Sequence, residues 1–547
     1  MVEEVVVRRG LIPPSLRLES LAVGIIGLLL FTLGLWDQPF VAFETRFALF
    51  AKEMLRNGPT LFPTTYGRPY PDYPATSTLL IWLLSLPFGS VTKLSAVLPT
   101  AMASALNLAI VYRLLARYSR GWAVIAVCFE LLTAAFLKAA RSISLDQMVA
   151  TATLLGFYLA YTADRDQRPA LRRWLAPVLL CGFAVRGPMG GLIPAAAVAS
   201  YYLLSTQWRA LLRFAAMSLP LLVVAWACLL GLGAWTYGHS FVEDVVRAQV
   251  TGRVHLSAGE SPSFYLTSSF ASYALAYPVA VAVAVVAVWR VRRAAPHSAE
   301  FLVFLMLGWA ALLLLGLSIP GAKKARYLLP IVPAIAALAA YPFVAEQRAI
   351  LTGLKTFLDR LFLLLPAIAI AAVAAARPLL AGRGLAVDVP YGPVLVVLAG
   401  CQVIALALHL KLPDCRLRSA ALAACAAGAC WLVDVLLVEP ATVQIHDSSG
   451  FVRSVEQLRR ERPAALAFYR ARLDADVIDY AVNLDYDLEP LIVRDPDELR
   501  QTRKPAYLLV AERELDSLRD LTGLEPAFDG RMNNNHYFLF YLAPSKD

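Results

Sequence analysis

Charge is scarce in this chain. Asp, Glu, Lys and Arg make up 16% of its 547 residues against 59% hydrophobic, and the mean hydropathy is +0.60. Soluble domains carry about 25% charged residues, so the composition excludes a soluble chain of this size and describes an integral, helical membrane protein. Histidine is scarcer still: the six residues show no metal spacing such as HExxH and assign no zinc site. No Walker loop, Rossmann fingerprint or GxSxG elbow stands in a suitable context, which argues against nucleotide-driven and serine-hydrolase chemistry. The seven cysteines lie in or beside apolar segments and read as small buried residues; the outward loops contain none. No small-residue cleavage site follows the first apolar segment, Leu21 to Trp36, which is expected to stay as an anchor.

What is present is a long series of apolar segments. About thirteen spans can be placed against the ~20 residues needed to cross a bilayer. They lie near 18–36, 95–117, 121–138, 147–163, 174–186, 188–205, 212–236, 273–290, 300–319, 328–345, 357–376, 391–411 and 419–438. Basic residues gather on alternate loops, for example Arg113/Arg117/Arg120, Arg165/Arg168/Arg172/Arg173, Arg209/Arg213 and Arg416/Arg418, and those loops are expected to be cytoplasmic. The net charge of +10 is dispersed among short loops, which suits topology and anionic lipid rather than nucleic acid. An odd count with a cytoplasmic N-terminus puts the C-terminus outside.

The outward loops are unequal. Residues 37–94 include an amphipathic stretch, Val41 to Leu55, patterned like a helix lying on a membrane surface, and then turn-rich sequence. Residues 237–272 form a second polar outward loop. Beyond about residue 444 the composition changes. Helix-like Val452 to Leu473, strand-like Ala475 to Tyr480, Leu491 to Val493, Ala506 to Val510 and Tyr537 to Tyr541, and helical Glu512 to Thr522 describe a small α/β domain. The expected organisation is a transmembrane domain, 1–443, and a C-terminal domain, 444–547.

Some cations break the charge rule. Arg46, Arg141, Arg186, Arg253 and the cluster Lys323, Lys324 and Arg326 all fall on the outward side. Cations placed there against the topological bias suit anionic ligands such as lipid phosphates. Among the carboxylates, Glu44 reads either as an interfacial charge or as a general base or metal ligand, and Asp146 either as a helix cap or as a group facing Glu44 across a cleft. Asp72 and Tyr73 sit in a turn-rich loop close in sequence to the surface helix.

Taken in order, these pieces resemble the lipid A aminoarabinose transferases and related GT-C membrane glycosyltransferases, including protein O-mannosyltransferases. Phe43-Glu-Thr-Arg-Phe-Ala48 followed by Ala51-Lys-Glu-Met-Leu55 is similar to their Asp-Glu-x-Arg-Tyr-Ala…Glu-Met segment. Arg141 to Met148 is similar to their Arg…Asp-Met element, and Ala184-Val-Arg-Gly-Pro188 to their Lys-Gly-Pro turn. Gly321-Ala-Lys-Lys-Ala-Arg-Tyr-Leu-Leu-Pro330 is similar to Ser-Lys-x-Lys-x-x-Tyr-Leu-Leu-Pro. Phe43 stands where the family has its catalytic Asp, so that role passes to Glu44 or to Asp37; Tyr73 stands where the aminoarabinose transferases have a donor-phosphate Lys.

The resemblance implies a GT-C polytopic membrane protein in a bacterial inner membrane, with its small α/β domain in the periplasm. It implies sugar transfer from a polyprenyl-phosphate donor to lipid A or lipopolysaccharide. Glu44, Asp146 and Asp37 would be catalytic. Arg46, Asp72, Tyr73, Arg141, Arg186, Arg253, Lys323, Lys324, Arg326 and Tyr327 would bind donor phosphate or acceptor. No cofactor is required with certainty, a divalent metal being one option. A protein O-glycosyltransferase, a lipid or solute transporter and an inactive scaffold remain as alternatives.

Overall fold

The computed structural model describes residues 14–252, 260–261, 263–267, 270–291, 294–345, 349–382, 387–495, 505–521 and 525–542. Helices α1 (Pro14–Thr32), α2 (Glu44–Asn57), α3 (Thr76–Ser85), α4 (Lys93–Leu115) and α5 (Arg120–Leu131) come first. Then follow α6 (Ala134–Ala140), α7 (Leu145–Arg165), α8 (Leu175–Arg186), α9 (Pro188–Leu204) and α10 (Trp208–Tyr237). Helices Ala276–Val291, Ala299–Ser318, Val332–Ala339, Ala349–Gly382, Tyr391–Lys411 and Cys415–Val433 complete the bundle.

Among the described residues, eight helices are long and apolar enough to cross a bilayer, or nine when α5 and α6, bent by 77°, count as one span. The chain is thus a multi-pass membrane protein. The remaining four segments expected to span are also helical, but α8 has 12 residues, α9 has 17, Ala276–Val291 has 16, and α7 carries Asp146, Asp164 and Arg165 near its ends. Polar capping sets several starts: Thr92 and Ser95 form a reciprocal capping box on α4. Ser144 caps α7 by accepting the Gln147 N–H at 3.3 Å, so Asp146 is not the cap and its carboxylate is available elsewhere.

The basic loops meet at one end of the bundle. Arg117 pairs with Asp166 at 2.8 Å, Arg120 with Glu19 at 2.8 Å, and the Tyr118 hydroxyl donates to the His297 carbonyl at 3.1 Å. Asp146, Arg186 and Arg326 meet at the other end.

The C-terminal region is a five-stranded sheet in the order β4-β3-β5-β7-β6. Its strands, numbered after a short hairpin of β1 (Thr64–Thr65) and β2 (Arg68–Pro69), are β3 (Ala465–Tyr469), β4 (Leu491–Val493), β5 (Ala506–Ala511), β6 (Phe528–Met532) and β7 (Asn535–Leu542). β3 runs parallel to β4 and β5, while β7 is antiparallel to β5 and β6. Phe468, Leu509 and Leu539 pack with Phe451 and Val455 on one face, and Tyr469, Leu508 and Val510 with Leu518 on the other. Two elements differ from the sequence reading. The helix expected over Val452–Leu473 spans Ser449–Glu461 and gives way to β3, because Pro463 removes a backbone donor and Leu466, Ala467, Phe468 and Tyr469 are buried between strands. The expected strand over Ala475–Tyr480 is the helix Asp476–Ala481, whose residues are all buried.

Helix α2 is clamped between bundle and sheet domain. Phe47, Leu49, Phe50 and Met54 are buried. Its polar face holds the C-terminal domain: the Thr45 hydroxyl donates to Asp479 at 2.9 Å, Lys52 to the Val482 carbonyl at 2.7 Å and Arg56 to Asp487 at 2.8 Å. Amphipathic periodicity is the same whether the polar side meets water, headgroups or another domain, so the sequence alone does not separate these cases.

Candidate active site

The site is built where α2, the 70–73 loop, the N-terminal end of α7, the C-terminal end of α8 and the segment before Val332 converge. Asp146 is its centre. In the first turn of α7 and 7% exposed, it pairs with Arg186 Nε at 2.8 Å and with Arg326 Nε at 3.1 Å. Two guanidinium groups against one carboxylate leave the cluster net positive. The left-handed Gly187 (φ +65°) ends α8 directly after Arg186; a Cβ there would sit 2.3 Å from Gln249 Oε1. Gln249 Nε2 donates to the Pro71 carbonyl at 2.9 Å, tying the segment after α10 to the one that carries Asp72 and Tyr73.

Aromatic rings line the cations. Arg186 lies 5.7 Å from the Tyr73 ring and 5.5 Å from that of Tyr327, and Arg326 lies 4.0 Å from the Phe43 ring. Phe43 therefore supplies a face for Arg326. Burial, followed by the charge of Asp72, pushes the Tyr73 phenol pKa up, so it is a neutral donor rather than an anion. Tyr265 and Tyr273 are buried behind the cluster, and the Tyr273 hydroxyl donates to the Ala325 carbonyl at 2.8 Å.

Glu44 is buried beside this cluster, paired with Lys93 and accepting the Ile143 N–H at 3.2 Å. It thus grips the loop that leads into Asp146. Lys93 is the partner that sequence reasoning missed; a lysine at the outward start of a span was the available signal.

The cation cluster divides into three roles. Lys323 is buried and donates to the Glu260 carbonyl at 3.0 Å. Arg326 pairs with Asp146. Lys324 is exposed and has no side-chain partner among the described residues. Desolvation in the cleft, then the charges of Arg326, Arg186 and Arg46, push its pKa down, and Asp72 opposes them.

Other candidates lie elsewhere. Arg141 does not face the cluster: its guanidinium is spent on Glu439, at 2.6 and 2.8 Å, and on the Leu30 and Leu33 carbonyls, at 2.6 and 2.9 Å. Its place in the chain is explained by helix packing, with no phosphate needed. Arg46 covers Tyr70 at 5.3 Å and donates to the Asp474 carbonyl at 2.6 Å, so it serves the domain junction. Asp37 is exposed in the turn after α1. Arg253 lies outside the described residues. Among the described residues no three His, Cys, Asp or Glu side chains come together as a metal site, and Glu44 and Asp146 are both occupied by cations. The donor set does not fit a divalent metal.

A bundle of this topology, with cations and tyrosines gathered at one end beside a helix-covered sheet domain, has the GT-C membrane glycosyltransferase fold. It superposes with a TM-score of 0.71 on the crystal structures of ArnT from Cupriavidus metallidurans, in the apo state and bound to undecaprenyl phosphate, at 16% identity over 95% of this chain and 97% of that one. Residues 72–235 match the dolichyl-phosphate-mannose-protein mannosyltransferase family. The chain is 29% identical over 312 residues to undecaprenyl phosphate-alpha-4-amino-4-deoxy-L-arabinose arabinosyl transferase 1 of Sodalis glossinidius (strain morsitans). That match spans about half the length of each protein, 54%. The resemblance to the aminoarabinose transferase and protein mannosyltransferase group, read first from four short motifs, is thereby borne out.

Proposed function

We propose that this chain is a glycosyltransferase of the inner membrane that moves a sugar from a polyprenyl-phosphate donor to lipid A or lipopolysaccharide on the periplasmic face. In this reading the N-terminus is cytoplasmic and the sheet domain periplasmic. The observation that carries it is the Asp146-centred pair of arginines with Lys324 at its mouth. In the reaction the bond between the sugar's anomeric carbon and the donor phosphate oxygen breaks, and a bond from that carbon to an acceptor oxygen forms. The departing phosphate gains negative charge, and Arg186, Arg326 and Lys324 stabilise it electrostatically. The Arg186 guanidinium lies over the ring faces of Tyr73 and Tyr327, and that of Arg326 over Tyr327, so the two rings orient both groups. Glu44, held by Lys93 and the Ile143 amide, positions the Asp146 loop rather than serving as a strong base. An acceptor that is itself a phosphate needs little base strength, which fits a site whose family acid is replaced by Phe43.

The test is the mass of lipid A and core oligosaccharide from cells with the chain, without it, and with the Asp146→Asn form. A sugar-sized increment that requires the chain and its Asp146 is expected. No increment in lipid A or core, with one on glycoprotein instead, would replace this acceptor by a protein.

Lys324 also sets a pH dependence. Only the protonated amine attracts a phosphate, so its contribution is complete below its depressed pKa and lost as pH rises through it, earlier than for an ordinary lysine near ~10.4. Undecaprenyl-phosphate affinity measured across the alkaline range is expected to fall in the native chain and stay flat in Lys324→Arg, whose guanidinium remains charged. Parallel alkaline losses in both would remove Lys324 from the phosphate site.

A further inference from the structure

A cavity of about 470 Å³ opens at the basic end of the bundle, lined by Arg172, Thr206, Gln207, Trp208, Arg209, Ala210 and Arg213. It lies far from the candidate active site. Asp146 and Asp164 stand in the first and last turns of α7, and 18 residues of helix separate them by about 27 Å. Arg172 is pinned by an ion pair with Asp164, whose other oxygen accepts from the Tyr201 hydroxyl at 2.6 Å and from Gln207 Nε2 at 2.7 Å. Asp164 is thus saturated by Arg172, Tyr201 and Gln207, while Arg209 and Arg213 also line the cavity. Arg172 Nε is buried without a hydrogen-bond partner. Arg209 and Arg213 are exposed, and Arg213 Nε donates to the Arg209 carbonyl at 3.2 Å.

The surroundings say which anion fits. Trp208, 57% exposed, lines the cavity, and Trp174, 52% exposed, stands two residues after Arg172 in the chain, exposed as indoles are at the headgroup level of a bilayer. Below them α10 turns Leu212 and Leu219, 68% and 59% exposed, to the outside, two turns apart on one face. Guanidinium groups above, indoles at the rim and a bare leucine face beneath match a phosphate attached to acyl chains.

We propose that this pocket binds the phosphate headgroup of an anionic phospholipid at the membrane surface opposite the candidate active site. The site is independent of the transfer reaction and uses none of its residues. Basic pockets between helices at the cytoplasmic surface hold such headgroups by charge, and planar guanidinium groups grip phosphate oxygens in pairs.

The experiment is native mass spectrometry of the full chain in detergent, titrated with cardiolipin, with phosphatidylethanolamine and with inorganic phosphate. Saturable retention of cardiolipin but not phosphatidylethanolamine is expected. The double variant Arg209→Gln, Arg213→Gln should weaken it by about tenfold or more. Both side chains are exposed, so the fold should tolerate their loss. The control Arg416→Gln, Arg418→Gln removes equal charge from another basic loop and should leave retention unchanged. Equal weakening by the two double variants would reduce the effect to general surface charge and overturn the proposal, as would cardiolipin retention unaltered by the Arg209, Arg213 variant. Inorganic phosphate that displaces cardiolipin at comparable concentration would assign the pocket to a soluble phosphate and overturn the lipid as its ligand.

Discussion

Asp146→Asn is expected to reduce sugar transfer by about 100-fold or more while leaving undecaprenyl-phosphate binding undiminished. The carboxylate holds Arg186 and Arg326 in one geometry, at 2.8 and 3.1 Å. Neutralising it frees two cations for any phosphate in the cleft, so donor affinity should hold or rise. The freed side chains no longer wait at the position where the leaving phosphate develops charge, and a misplacement of about 1 Å costs on the order of 100-fold in rate. Stability falls as well. Side-chain exposure is 5% for Arg186 and 26% for Arg326, so the uncompensated charge weighs chiefly on Arg186. Breaking a buried pair costs about 3–5 kcal/mol, and the solvated half of this triad lowers that figure. Asp146→Glu restores the charge but moves it by one methylene, and should recover melting temperature more than turnover. Donor affinity and turnover are measured separately in detergent or nanodiscs. Binding and turnover falling by the same factor would make Asp146 a binding residue only, and unchanged turnover would remove it from the reaction.

The second large effect is structural. Arg141→Gln is expected to destabilise the chain by about 3 kcal/mol or more, because it strands the Glu439 carboxylate and two carbonyls at the end of α1. Those carbonyls belong to Leu30, in the last turn, and Leu33, just beyond it, where a helix lacks internal donors and carries partial negative charge. Trp431 Nε1 donates to the same Leu30 carbonyl at 3.0 Å, so first and last parts of the bundle are locked at one point. Arg141→Lys should rescue little, since a single ammonium cannot reach four acceptors that a planar fork spans. Thermal unfolding in detergent reads the loss. A double-mutant cycle with Glu439→Gln should show strong coupling between the two residues; additive losses would show that the pair does not act as a unit. Donor affinity of the folded fraction should be unaffected, which separates Arg141 from Arg186 despite their similar place in the sequence.

Much of the membrane architecture follows from local composition. Apolar length predicts spans because an unsatisfied backbone cannot lie in lipid, and every one of the expected segments is helical somewhere along its length. At Arg186-Gly187-Pro188 and inside the expected span 121–138 the chain breaks or bends, since a left-handed glycine and a lost helical turn interrupt the ladder. Strand and helix were exchanged over 452–480 because short apolar runs carry no period that separates them.

Charge placement was legible as an anomaly, while its meaning was not. The rule that basic residues stay inside marked Arg46, Arg141, Arg186 and Lys323 to Arg326 alike as misplaced. Only the tertiary structure sorts them, because partners supplied from distant sequence decide what a cation does. Asp479 and the Asp474 carbonyl give the α2 face to the sheet domain, Glu439 takes Arg141, Glu260 takes Lys323 through its carbonyl, and Asp146 takes Arg186 and Arg326. The sequence by itself determined a multi-pass helical bundle with a family likeness and a set of cations that depart from the alternating charge pattern, since hydropathy, helix length and short motifs are local properties. The tertiary structure decided which of those cations share a cleft, because an ion pair is a short-range contact whose partners here lie 40 to 298 residues apart along the chain.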